Sequence, residues 1–176
     1  MGDPDGPLLR RADVLRALTR HEVEFILVGG QAAAAHGAER QTFDLDICVH
    51  WTESNLERVG LALTDLGAGL RLDGLDEPFE VPHLDGRFLI QMELSTWRSE
   101  QGDIDVLRGL PSGDGDEERY EALLSRSTSV VVDGIAVAVA SLDDVIRSME
   151  VLGRESDADA LPELRRLAEI ERDDRG

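Results

Sequence analysis

The sequence predicts an α/β or α+β domain in which helices flank one small mixed sheet. Two observations support this class. Short apolar runs at residues 24–28 and 43–49 have the length and composition of strands, and they alternate with longer segments of helical spacing such as residues 8–20. Further along, Asp133-Gly134 separates two β-branched runs, which is typical of a tight C-terminal hairpin.

The individual elements follow from apolar spacing and from capping residues. Thr52 and Ser141 can each cap a following helix, because their hydroxyl oxygens accept hydrogen bonds from its first turn. Residues 67–86 are predicted to be mostly loop, residues 95–102 a polar break and residues 111–116 a linker. The sequence predicts helices at 8–20, 31–36, 52–66, 117–125, 142–152 and 157–172, and strands at 24–28, 43–49, 87–94, 103–107, 130–132 and 135–139.

The size and composition are those of one globular domain over residues 1–176, with a core at 24–110 and a C-terminal hairpin and helical segment at 117–172. The single cysteine, Cys48, excludes an internal disulfide. The start of the chain lacks the pattern of a signal peptide, and no run approaches the length of a membrane span. We therefore expect a cytoplasmic protein with no membrane partner.

The charge distribution is strongly acidic. The net charge is −19, and all 18 positive residues are arginines, with no lysine in the chain. A charge this negative repels a polyanion at long range, although a local arginine cluster can reverse the effect. We therefore expect a small molecule or a protein, rather than free nucleic acid, as the partner of any site.

Gly29-Gly30 follows the predicted strand at 24–28 and precedes a short helix. Two glycines allow a sharp turn and a close approach of a ligand to the main chain. The free N–H groups at the start of the helix would then point toward a phosphate. A turn without a ligand is the alternative interpretation of this motif.

Asp44 and Asp46 lie two residues apart on the predicted strand 43–49, so their side chains point to the same face. Two converging carboxylates provide the oxygen ligands that Mg²⁺ prefers. Taken alone, such a pair in an acidic chain is more often a solvated strand face than a metal site.

Asp103 and Asp105 repeat this spacing on the strand 103–107. If that strand lies beside the first one, it supplies a third carboxylate. Three carboxylates and a triphosphate can form a two-metal site, in which one ion activates the attacking hydroxyl and the other holds the leaving pyrophosphate.

Gly29-Gly30, the segment Arg40-x-Thr42-x-Asp44-x-Asp46 and the later Asp105 together resemble the nucleotidyltransferase superfamily, which includes DNA polymerase beta. More closely, the chain resembles the minimal bacterial AbiEii-type branch, several members of which are toxins of toxin–antitoxin pairs. The similarity covers most of residues 24–168, including the closing segment at 137–164.

The resemblance implies a nucleotidyltransferase fold and a role for each matching residue. Gly29 and Gly30 would lie under the β- and γ-phosphates of an NTP. Asp44 and Asp46 would bind Mg²⁺, and Asp105 would be the third metal ligand and the base for the incoming hydroxyl.

The remaining matches imply supporting roles. Asp103 is a weaker candidate, since family members usually carry one acid at the position of Asp105. Arg40 would anchor a phosphate or a loop, and Thr42 would position the entry to the metal-binding strand. Arg154 and Asp157 would form a turn that closes on the nucleotide.

One departure from the family pattern concerns Met149, which occupies the position of a lysine that grips the triphosphate. Arg147 is the nearest cation, but a residue two positions away on a helix lies on the wrong face. The sequence therefore supports two functions. One is Mg²⁺-dependent transfer of a nucleoside monophosphate to a hydroxyl of a protein, small molecule or tRNA end, as in a toxin with an antitoxin partner. The other is a weak or inactive relative that binds nucleotide or a protein.

Overall fold

A computed structural model of the chain describes residues 8–39, 42–113 and 115–174. Helices and strands alternate along most of the described chain, as the sequence predicts. In chain order they are α1 (Arg11–Arg20), β1 (Phe25–Leu27), α2 (Gly29–Ala35), β2 (Asp44–Val49), α3 (Glu53–Asp65), β3 (Gly69–Leu70), α4 (Gly86–Leu89), β4 (Leu94–Ser99), β5 (Gly102–Leu107), β6 (Gly109–Pro111), β7 (Glu117–Arg119), α5 (Tyr120–Arg126), β8 (Thr128–Val132), β9 (Ile135–Val139), α6 (Leu142–Leu152), α7 (Glu155–Ala158) and α8 (Leu161–Asp174).

The central sheet is mixed and has the strand order β3-β4-β5-β2-β1-β9-β8. β2 pairs in parallel with β5 and antiparallel with β1. The C-terminal hairpin belongs to this sheet, because β9 pairs in parallel with β1. A second, two-stranded sheet joins β6 and β7. The mixed α/β architecture predicted from the sequence is thus confirmed. The sheet is larger than predicted, since it has seven strands.

The central strands β2 and β5 lie at the centre of the molecule. β2 and β5 are buried along almost their whole length, whereas a one-sided strand would alternate between buried and exposed positions. Helix α6 packs against α2 and α8, and α1 packs against α3. The acidic pairs of β2 and β5 therefore lie on central strands, and the apolar residues between them belong to the hydrophobic core. Among the described residues, no helix is long and apolar enough to cross a membrane.

Two local predictions were wrong near residue 90. Residues 86–89 form α4 rather than a strand, and Asp85 caps this helix by accepting a hydrogen bond from Phe88 N at 2.8 Å. The strand lies instead at Leu94–Ser99, which the sequence indicated as a polar break. Its polar residues alternate with buried Trp97, whose indole donates to Ser95 at 2.9 Å. The polar sequence of this segment therefore forms a strand of the central sheet rather than a loop.

Two helices also differ from the prediction. Residues 117–119 form β7 before α5 begins, and the last helix is divided into α7 and α8. The hairpin prediction is confirmed, since Asp133 and Gly134 both have positive φ angles, of 50° and 81°. The caps are confirmed as well, because Thr52 and Ser141 accept hydrogen bonds from Asn55 N and Asp144 N.

Candidate functional site

The register of β2, β5 and β4 brings the two acidic pairs together on one face of the sheet. Asp46 lies opposite Asp105, and Asp44 lies opposite Asp103. Directly opposed residues project to the same face of a sheet, as do residues two apart on one strand. The parallel pairing of β2 with β5 therefore places four carboxylates in two neighbouring rows.

Three of these carboxylates converge. Asp44, Asp46 and Asp105 each offer an oxygen, and these oxygens all lie within 4.8 Å of one another. We call these residues the acidic triad. Asp44 and Asp105 are buried, each with 8% exposure. A cluster of carboxylate oxygens at this spacing fits Mg²⁺, which takes oxygen ligands and completes its shell with water and phosphate.

The electrostatics of the acidic triad favour a bound cation. Burial, together with the charges of Asp44 and Asp105, raises the pKa of Asp46 from 3.8 to about 8. Burial also raises the pKa of Asp105, against the opposing effect of a hydrogen bond with Thr96. A divalent ion would relieve this crowding of negative charge and keep all three groups ionised.

Gly29 lies directly against the acidic triad. Its φ angle is +60°, and a Cβ atom placed on it would lie 2.2 Å from Asp46 Oδ2 and 2.7 Å from Asp46 Cγ. Val28 N donates to Asp46 O at 3.0 Å, which fixes the turn to β2. Gly30 is buried in the first turn of α2. Gly29 therefore lies beside Asp46, where the absence of a side chain allows the main chain to approach the carboxylate.

Two arginine side chains form ion pairs with Asp103. Arg98 forms a two-pronged ion pair with it, with Nε to Oδ1 and Nη2 to Oδ2 both at 2.8 Å. Arg71 adds a third hydrogen bond, from Nη1 to Oδ2 at 3.1 Å. We call Arg98 and Arg71 the arginine clamp. The sequence analysis did not identify these two residues or Thr96, although the alternation of β4 could have placed Thr96 and Arg98 on one face.

Arg154 and Asp157 lie at the turn between α6 and α8. The charge of Arg154 lowers the pKa of Asp46, against the larger effect of burial, so the exposed guanidinium acts on the acidic triad. Asp157 is 5% exposed, and its N–H donates to Arg154 O at 3.0 Å. A local turn therefore joins these two residues at the start of α7.

Thr42 lies just before β2 and accepts a hydrogen bond from Gln31 of α2. The Gln31 side chain also reaches Asp44 O at 3.4 Å, so these contacts tie the entry of β2 to α2. Arg40, the predicted phosphate or loop anchor, lies outside the described residues.

Met149 is buried, with 5% exposure, and belongs to the hydrophobic core. Arg147 is directed elsewhere on α6, toward Glu118 at 3.4 Å and Asp144 at 3.6 Å. Arg147 is thus engaged in ion pairs, and the arginine whose charge acts on Asp46 is Arg154.

A cavity of about 290 Å³ opens beside the acidic triad. It is lined by the carboxylates Asp44, Asp103 and Asp105, by Arg71 and Thr96, and by the loop at residues 72–75. A molecule in this cavity would lie against two of the three carboxylates of the acidic triad.

Several solved structures have the same fold as this chain. No protein-family model matches the sequence, and no curated protein matches it significantly. Among solved structures, a Thermotoga maritima protein assigned to the nucleotidyltransferases aligns over 92% of this chain and 97% of its own, with 15% identity and a TM-score of 0.55. ANT(2″)-Ia, solved with adenylyl-2″-tobramycin, aligns over 94% and 96%, with 14% identity and a TM-score of 0.54. The lincosamide adenylyltransferase LnuA, solved with lincomycin, aligns over 91% and 99%, with 12% identity and a TM-score of 0.56. The chain therefore has the nucleotidyltransferase fold.

Proposed function

We propose that the protein is a Mg²⁺-dependent nucleotidyltransferase that moves a nucleoside monophosphate from an NTP to a hydroxyl group of a small acceptor molecule. The observation that carries this proposal is the convergence of Asp44, Asp46 and Asp105 within 4.8 Å beside the Gly29 turn. The nucleotidyltransferase fold of the chain supports the same reaction class.

In the proposed reaction, Asp44, Asp46 and Asp105 hold the metal. Bound Mg²⁺ would neutralise charge on the triphosphate and favour ionisation of the attacking hydroxyl. Asp105 accepts the proton of that hydroxyl, the role that the resemblance to the nucleotidyltransferases implies for this position, and with the metal bound it is ionised and able to do so. The acceptor oxygen bonds to the α-phosphorus, the bond from that phosphorus to the bridging oxygen breaks, and pyrophosphate leaves.

The nucleotide is assigned to the side of the site that carries Gly29, Gly30 and Arg154. Gly29 lies against Asp46 and has no side chain. Its main-chain atoms are therefore not covered by a side chain of their own at the place where the triphosphate would meet the metal. Arg154 is the described cation whose charge acts on Asp46, and Asp157 supports its turn. Arg40 and Thr42 remain proposed contacts of the nucleotide or of the loop before β2.

The acceptor is assigned to the 290 Å³ cavity next to Asp44 and Asp105. A cavity of this size admits a small molecule or one chemical group, but not a folded surface. The net charge of −19 opposes a polyanion such as tRNA. Two proteins of the same fold, ANT(2″)-Ia and LnuA, were solved with antibiotic-derived ligands. These points favour a small-molecule acceptor over tRNA or a protein, and over the toxin role with an antitoxin partner that the AbiEii-type resemblance implies.

A second candidate function is nucleotide or partner binding with weak or no turnover. The observation that favours it is Met149, an apolar residue buried in the core where the family pattern has a lysine. In that case the acidic triad and Arg154 would hold Mg²⁺ and NTP, but the α-phosphorus would not be positioned for attack.

The test is a transfer assay with each of the four NTPs labelled at the α-phosphate, Mg²⁺, and separate pools of hydroxyl-bearing small molecules and tRNA. We expect label to move to a small molecule with one NTP. Asp105→Asn should lower this transfer by about 10²- to 10⁴-fold because the base is lost. The matched control is Asp143→Asn, which makes the same change at an exposed position on α6.

The outcomes separate the candidates. Label on tRNA alone would move the assignment to the toxin-like function. NTP binding without transfer to either pool would favour the second candidate. Equal transfer by Asp105→Asn and the wild type would remove Asp105 from the chemistry.

A further inference from the structure

Asp103 lies next to the acidic triad but is not part of it. It lies two residues before Asp105 on β5 and directly opposite Asp44 on β2, so all three project to one face of the sheet. Its side chain is only 4% exposed. Nevertheless, the oxygens that gather within 4.8 Å of one another are those of Asp44, Asp46 and Asp105.

The arginine clamp accounts for this arrangement. Arg98 lies opposite Asp103 on the neighbouring strand β4 and binds both of its carboxylate oxygens. A bidentate guanidinium fixes the plane of a carboxylate as well as its charge. Arg71 binds the same carboxylate, and its own main chain is anchored by donation to Thr96 O at 2.8 Å. Two guanidinium groups therefore bind this one carboxylate.

We propose that Arg98, assisted by Arg71, holds Asp103 out of the metal site and thereby sets the selectivity of that site for Mg²⁺ over Ca²⁺. This inference rests on the proposed metal-binding function of the acidic triad. Arg98 is a positioning residue, since it acts on the metal through Asp103.

The physical reason is the difference between the two ions. Mg²⁺ demands a near-ideal octahedron and keeps several water and phosphate oxygens in it, so it gains little from a carboxylate beyond those of the acidic triad. Ca²⁺ accepts six to eight oxygen ligands in a flexible shell and gains from additional carboxylates. A fourth carboxylate would favour Ca²⁺, and it would also reduce the positive charge left to attract a triphosphate.

The experiment measures the Kd of Mg²⁺ and of Ca²⁺ by calorimetry, without nucleotide, for the full-length wild type and for Arg98→Leu. Release of Asp103 toward the acidic triad should tighten Ca²⁺ binding by about tenfold and Mg²⁺ binding by less. Because Arg98→Leu leaves a buried carboxylate with only the Arg71 contact, it can lower stability. Arg98→Gln, which removes the charge but keeps hydrogen-bond donors, measures the same ratio with less disturbance.

The matched control is Arg98→Leu combined with Asp103→Asn, which removes both partners. The proposal is supported if the ratio of the Ca²⁺ Kd to the Mg²⁺ Kd returns to its wild-type value in this double variant. Unchanged affinities in both Arg98 variants would make the ion pair purely structural and overturn it. An equal gain in Ca²⁺ affinity in Arg98→Leu and in the double variant, which lacks the Asp103 carboxylate, would overturn it as well. Absence of binding by the wild type itself would instead contradict the proposed metal site, and the inference with it.

Discussion

The close approach of Gly29 to Asp46 predicts a strong effect of one added methyl group. In Gly29→Ala, the new Cβ would lie 2.2 Å from Asp46 Oδ2, 2.7 Å from Cγ and 3.0 Å from Cβ. Rotation of the carboxylate alone does not relieve all three contacts, so the side chain of Asp46 must retreat by roughly 1 Å. A displacement of this size at a reacting centre is worth about 10²-fold in rate.

The substitution has a second cost, which a control variant isolates. Alanine at a φ of +60° is strained by about 1–2 kcal/mol, because its Cβ crowds the following carbonyl. Gly67 has the same φ of +60°, and a Cβ on it would meet nothing within 4 Å. Gly67→Ala should therefore lose stability through strain alone, by roughly 2–8 °C in Tm for a chain of this length.

The assay is the rise of Tm when Mg²⁺ and NTP are added, measured for both variants and the wild type. We expect Gly67→Ala to start from a lower Tm and to show the wild-type rise. Gly29→Ala should lose most of the rise, because Asp46 is displaced. An equal rise in Gly29→Ala and Gly67→Ala would refute the assignment of Asp46 as a metal ligand held against this turn.

Three further predictions concern charge around the acidic triad. The raised pKa of Asp46 means that the metal-free folded protein keeps a proton that the unfolded chain releases above 3.8, so stability should fall as the pH rises from about 4 to about 8. In the presence of a metal chelator, Asp46→Asn should make the free energy of unfolding depend less on pH over this range. An unchanged dependence on pH would contradict the raised pKa of Asp46. Arg154→Gln should weaken NTP binding in calorimetry by about tenfold while Mg²⁺ binding persists, whereas exposed Arg87→Gln should change neither. Met149→Lys should lower the Tm of the ligand-free protein, since it buries a charge. It should also raise the affinity for NTP. An unchanged NTP affinity would mean that the side chain at position 149 does not reach the phosphates.

The parts of the site that could be predicted from the sequence depend on short-range geometry. The spacing of Asp44 and Asp46, and of Asp103 and Asp105, fixes a common face on any strand. The Asp133-Gly134 turn and the Ser141 cap depend on the conformational preferences of a few adjacent residues. These features need no knowledge of which elements pack together.

The arginine clamp could not be predicted in the same way. It depends on β4 lying next to β5, and β4 was not identified because Thr96 and Arg98 make its sequence polar. Arg71 reaches the site only through the pairing of β3 with β4. Contacts between strands distant in sequence are set by the tertiary register, which one sequence does not reveal. The burial of Met149 likewise depends on the packing of α6 against α2 and α8.

The most direct test of the central claim is the thermal unfolding midpoint with Mg²⁺, in the presence of ATP, CTP, GTP or UTP in turn. A ligand at 100 times its Kd stabilises the folded state by about 2.7 kcal/mol. The account predicts a rise that needs both the metal and one nucleotide, and that disappears when Asp44→Ala and Asp46→Ala are combined, with the fold retained. The same rise in this double variant, or no rise with any nucleotide in the wild type, would contradict it.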